Sequence, residues 1–559
     1  MLVPALILAA SAYACTHYPT EGGGPGAYTD TPPGAQEPMD PALQALHDQV
    51  VASTPLARNL SNREYLNATS DLLGVRLPVE LQKSWTATIQ YSGFDSIPWS
   101  NLDTKAIRDR TETLEAILDV AVKAPKVMTC TVTDAASLPY GGCAKSILEP
   151  FASRAFGRPL RAAEAQALGK SYDDGVALAQ TLLTVPAEIF TDGVRAALGS
   201  VLFAPQFLNR MESAPTPGFV GERDLDAYEL ADRLAFMMLG SIPDDELWAA
   251  AQNGTLTSEP GVLRAQATRL LDTKTDVFVQ SFMGQWFDFR AYEHADPASL
   301  EAALFNESWR TLADIVKNDL PLATLLVPGF TYANDQVASH YGLVAQLGSA
   351  FEKIPTPERG GVLQQGSWLA LSATPLGTKP MHRGRMVQDR FLCKSVPPPD
   401  SALFEMIAAV SAAVPPDATV KEKLRFHREA GEACFGCHQF MDPIGLGLEG
   451  FDQFGKVRAV YEDTKKPVET DSDILGTQFA NAGELNQILA AMPAFRQCAS
   501  EKLSMYALKR VVNPAGAQDG ALLAYLGHEL GGKPVSIREV LLRLVNSRAF
   551  LKVNHGAGN

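Results

Sequence analysis

A chain of 559 residues is too long for one hydrophobic core, so about three to five domains of about 100–150 residues each are expected. With 48 Lys and Arg against 63 Asp and Glu, a net charge of −15 argues against a sequence-independent grip on phosphate backbones or anionic lipid, and so against nucleic acid as a partner. Ala, Leu, Glu, Gln and Arg fill the long segments and alternating Val/Ile/Thr runs are rare, which predicts a mainly α protein of several small helical modules in tandem.

Residues 1–14 form an apolar run too short to span a bilayer and end in an Ala-X-Ala pattern, as an export signal does. No Lys or Arg precedes the run, which leaves open whether Met1 is the true start. Cys15 follows at once, and small residues before a cysteine have the form of a lipoprotein cleavage site, so Cys15 is a candidate for lipid attachment. Residues 15–55 read as a flexible tether, because the Gly, Pro and Thr of 16–40 cannot bury enough apolar surface to fold. No later segment reaches the roughly 18 uninterrupted apolar residues of a membrane helix, so any membrane contact is expected through the N-terminus. The expected location is exported, periplasmic or at the cell surface.

Five helical units follow. In 56–125, Ser61-Asn62-Arg63-Glu64 has capping-box spacing, Tyr65, Ala68, Leu72 and Leu73 share a face, and Gly74 ends the helix. The unit 126–215 is read as helical at Ala144–Phe156 and Asp192–Leu202. Its Cys130 and Cys143 flank a turn-rich stretch that suits a local disulfide. In 222–345 the cap is at Asp226, turns fall at Ile242-Pro243-Asp244 and Asn253-Gly254, and a helix covers Phe278–Phe287. The unit 358–465 holds Pro397-Pro398-Pro399 and a Cys-X-X-Cys-His motif, and 471–552 is helical around Leu485, Ile488 and Leu489, then Leu503, Tyr506 and Leu508. Of the seven cysteines, setting aside Cys15 and the motif pair leaves Cys393 to pair with Cys498 in an oxidising compartment.

Cys434-Phe435-Gly436-Cys437-His438 carries the chemistry. Two thiols one helical turn apart add to the haem vinyl groups, and the adjacent histidine becomes an axial iron ligand, so one covalent haem c is expected. A zinc half-site would need two more ligands, and only His427 is near. A structural or redox disulfide between Cys434 and Cys437 is the other reading. For the second axial position, Met492 in a Met-Pro step and His427 are the candidates. The helix-prone segment 421–430 places the motif at or just after a helix end. In 441–455 the glycines suggest positive φ and close backbone approach, with Ile444, Leu446, Leu448, Phe451 and Phe454 walling an apolar crevice. Glu449 and Asp452 read first as surface carboxylates without a role, the alternative being groups that hydrogen-bond haem propionates or transfer protons.

Leu60-Ser61-Asn62-Arg63-Glu64-Tyr65 with Gly93-Phe94-Asp95, Phe151–Pro159 with Pro205-Gln206-Phe207-Leu208, Glu229–Leu234 with Pro243–Leu247 and Gln285-Trp286, His427–Gly455, and Tyr506–Arg510 stand in order along nearly the whole chain from residue 60. This ordered set resembles a family of large exported proteins of planctomycetes and myxobacteria, built from domains of unknown function and a cytochrome-like module. The resemblance implies haem, export and the placement of His427 within the cytochrome-like module, but no substrate. Many relatives carry a further N-terminal cytochrome domain, and here there is one Cys-X-X-Cys-His.

Three functions are compatible with these residues. The first is electron transfer at the cell envelope to a redox protein or small molecule. The second is a haem-dependent oxidoreductase, a peroxidase or oxidase with an extracellular substrate. The third is a non-enzymatic envelope binding protein in which Cys434 and Cys437 are structural.

Overall fold

The computed structural model describes residues 39–556 except 83–84, 86–89, 91–92, 96–103, 293–294, 345–346, 357–358, 360, 375–376, 397–413, 416 and 463. The export segment, Cys15, residues 15–38 of the tether and the triple proline lie outside them. Helix dominates, and among the described residues the strands form five two-stranded antiparallel ladders. No described helix is long and apolar enough to cross a membrane.

Local signals placed many helix ends. Ser61 and Glu64 form a reciprocal capping box at the start of Asn62–Leu73, which buries Tyr65, Ala68, Leu72 and Leu73 and stops at Gly74 with φ 66°. Asp226 and Glu229 cap Ala227–Met238 in the same way. Other bounds moved. The helix expected at Asp192–Leu202 begins at Pro186, where a missing amide costs nothing in the first turn. The helices expected at Ala144–Phe156 and Phe278–Phe287 are Gly142–Ala155 and Thr275–Trp286. Within the expected tether, Pro41–His47 is helical, because Asp40 accepts from the amides of Ala42 and Leu43 and Leu43 is buried in the core.

Buried apolar side chains gather into two main clusters. One runs between Leu60 and Ile242. The other runs from Leu225 to Val553 and also takes in Leu43, Val50 and Phe94, so successive modules share a core. Distant segments are clipped together by short ladders, Ala57–Asn59 with Asn209–Met211 and Gly221–Asp224 with Lys552–His555. Between these ladders Arg233 pairs with buried Glu212 and donates to the carbonyls of Ala549 and Phe550. Arg58 grips Glu64 at 2.5 and 2.9 Å, and Lys509 Nζ approaches the same carboxylate at 3.7 Å. Burial pushes the Lys509 ammonium down to about 8 against the pull of Glu64.

Both expected disulfides are formed, Cys130 to Cys143 and Cys393 to Cys498. The second joins the segment after helix Pro380–Phe391 to helix Pro493–Leu508 across a sequence separation of 105.

Candidate haem site

The motif sits on the helix Glu432–Gly447, here called the motif helix. The preceding helix, Val420–Arg428, is capped by Thr419 and Glu422 and carries His427 in its last turn. The motif therefore begins one short connection beyond a helix end and occupies the first turns of the next helix. Spacings of three and four residues put Cys434, Cys437 and His438 on neighbouring positions of one helical surface. Cys434 is buried and Cys437 half-buried, and both are free thiols. The other four described cysteines are all in disulfides.

His438 is fixed by a neighbour one turn on. Its Nδ1 lies 2.8 Å from Oδ1 of Asp442, a carboxylate only 3% exposed. Oδ2 of Asp442 is buried without a hydrogen-bond partner among the described residues. The His427 ring packs on the His438 ring, with centroids 4.4 Å apart and planes tilted by 38°. Burial first, and then the neighbouring His438, hold the His427 imidazole below its usual range, while Asp442 pulls the other way.

Met492 lies elsewhere. It links helices Ala482–Ala491 and Pro493–Leu508 and lines a cavity of about 160 Å³ with Leu392, Phe440 and Ile444. Phe440 follows His438 by two positions, which places it about 200° around the motif helix. Of the two candidate second ligands, the fold brings His427 to His438 and sets Met492 against another face.

The glycine-rich stretch does a different job from the one its composition suggested. Gly384 and Gly445 lie where Pro380–Phe391 crosses the motif helix. A Cβ on Gly384 would stand 1.9 Å from the Met441 carbonyl oxygen, and one on Gly445 would stand 1.8 Å from that of Pro380. Close helix approach is therefore the reason for these glycines, and of those between 441 and 455 only Gly455 has positive φ. Leu448 and Phe451 belong to the larger core, and of the expected crevice residues Ile444, itself in that core, also lines the cavity beside Met492. Glu449 is not a surface carboxylate. It is fully buried and bound by Arg383, Arg458, Thr378 and Tyr461, and burial with that carboxylate raises the Tyr461 phenol while burial pushes Arg383 down to about 10. Asp452 instead closes a turn by accepting from the amides of Phe454 and Lys456.

The residues present fit a covalently held haem. The two thiols are unpaired, Asp442 faces Nδ1 of His438 and so leaves Nε2 for iron, and a Cβ on Gly436 would meet nothing within 4 Å. A bare metal ion is less well served, since among the described residues no three His, Cys, Asp or Glu gather to hold one. Asp442 was the residue missed in the sequence. Its i, i+4 spacing from His438 on a helix was the signal that could have found it.

Four family models match in chain order, each described as a protein of unknown function: DUF1595 over residues 143–212, DUF1592 over 225–343, DUF1588 over 359–461 and DUF1585 over 475–550. The third of these spans the motif. No curated protein and no solved structure matches the chain. The order of these four modules, around a motif helix inside the third, shows that the chain belongs to the planctomycete-type family of multi-module proteins with a cytochrome-c-like domain of unknown function.

Proposed function

We propose that the protein is an exported c-type haem protein that passes single electrons at the cell envelope to a redox protein or small molecule. The observation that carries this reading is the sorting of the cysteines. Four are paired in two disulfides, as in an oxidising compartment, while the two of Cys-X-X-Cys-His stay free beside an oriented imidazole. Cys434 and Cys437 would each add S–H across a haem vinyl double bond, and His438 would bind iron through Nε2. His427 would supply the second imidazole. Its ring now packs on that of His438, so holding the group would require the two imidazoles to part. Haem bound in this way supplies a reversible one-electron couple. Residues 1–14 and Cys15 would direct export and lipid anchoring.

A second reading, a haem-dependent oxidoreductase, is favoured by one observation, the carboxylate on the proximal histidine. The ferric spectrum of the holoprotein separates the two. The carrier reading expects a low-spin iron that binds cyanide slowly and becomes high-spin in His427→Ala, with Met492→Ala unchanged. A wild-type iron that is high-spin and takes cyanide within the mixing time would overturn it in favour of catalysis.

A further inference from the structure

We propose that Asp442 is the positioning residue of the haem ligand, holding His438 in the tautomer protonated at Nδ1 and, through its charge, lowering the reduction potential of the iron bound to Nε2. This rests on the haem reading above and adds a redox consequence to it.

Three features of the fold point to Asp442. The first is geometry. His438 and Asp442 stand four residues apart on the motif helix and meet at 2.8 Å, and if Nε2 binds iron the proton on the ring must be on Nδ1, where it can only donate. The second is the surroundings. Asp442 is 3% exposed and among the described residues only His438 forms an ion pair with it, so little solvent and no described Lys or Arg pair dilutes its charge. The third is rigidity. Asp442 lies between Met441 and Gly445, two points where the motif helix closely approaches helix Pro380–Phe391, so its backbone cannot move away from His438 without separating two packed helices.

The chemical consequence follows from second-sphere hydrogen bonding. A neutral carbonyl accepting from Nδ1–H orients the ring. An anionic carboxylate also draws that proton toward itself, raises electron density on Nε2 and stabilises the ferric over the ferrous state. The unpartnered Oδ2 fits this role, because a second donor there would neutralise part of the charge that His438 feels.

The test is a potentiometric titration of holoprotein in which Asp442→Asn keeps a carbonyl acceptor and removes the charge. The ferric/ferrous equilibrium should shift at least tenfold toward ferrous, an increase of about 59 mV for one electron. A shift below twofold with haem attached would overturn the inference. If Asp442→Asn does not fold or load haem, His438→Gly holoprotein filled with imidazole or with 1-methylimidazole decides the matter. Only imidazole can donate to Asp442, so its potential should be lower by the same tenfold factor, and equal potentials would overturn the inference. Wild-type protein lacking haem would defeat the underlying reading, whereas haem present with unchanged potentials defeats this inference alone.

Discussion

Arg383→Met tests how the motif helix is held in place. Arg383 is fully buried and donates to the carbonyls of Leu448, Phe451 and Asp452 at 2.8 to 2.9 Å and to Glu449 Oε1 at 3.0 Å. It therefore fastens helix Pro380–Phe391 to the segment that leaves the motif helix. Removing one partner of a buried ion pair costs about 3–5 kcal/mol, and each carbonyl left unbonded adds about 1 kcal/mol. Arg458, Thr378 and Tyr461 still hold Glu449, which offsets part of the charge term, so a net loss of about 3–5 kcal/mol is expected. Urea unfolding followed by circular dichroism should show it as a lower midpoint at unchanged slope. Glu449→Gln, which spares the three carbonyl bonds, should cost less. A loss below about 1 kcal/mol for Arg383→Met, the scale of a surface ion pair, would refute the reasoning.

Gly445→Ala should destabilise by about 1–3 kcal/mol, although alanine favours helices, because its Cβ would meet the Pro380 carbonyl oxygen. A raised melting temperature would contradict the close crossing. Replacing Cys393 and Cys498 by Ser should cost about 4.7 kcal/mol from loop entropy, against about 3 kcal/mol for Cys130 and Cys143, whose separation is only 13. Urea midpoints of the two double variants would show the reverse order if the loop argument is wrong. Lys509 titrates near 8 when folded and at 10.5 when unfolded, so between pH 8 and 9.5 the unfolded chain binds more protons and stability rises with pH by about 1.5 kcal/mol. In Lys509→Met that contribution should vanish, and a wild-type curve matching the variant across this window would argue against the burial assigned to Lys509.

What the sequence made legible was local. The capping residues Ser61 and Asp226, the stop at Gly74, the motif and both disulfide pairings depend on neighbours or on cysteine arithmetic, and all are found in the fold. What it hid was the partner across the interface. Glu449 looks exposed beside glycines, and Arg383 and Thr378, 66 and 71 positions earlier, join Arg458 and Tyr461 in explaining its burial. Gly445 looks like a flexible loop residue until the helix Pro380–Phe391 arrives on it. Asp442 was visible as His-X-X-X-Asp, yet its meaning required knowing that the motif runs on one helix. The Met-Pro step favours Met492 and the family resemblance favours His427, and the direction each face turns separates them.

The central claim is that Cys434 and Cys437 carry haem. Protein exported from a host able to mature c-type cytochromes should be digested with trypsin under non-reducing conditions and the peptide containing 434–438 weighed. A mass increased by one haem, lost together with the visible spectrum in a Cys434→Ala/Cys437→Ala variant that still folds, is the expected result. An unmodified peptide with two thiols, or with Cys434 and Cys437 joined as a disulfide, would contradict it.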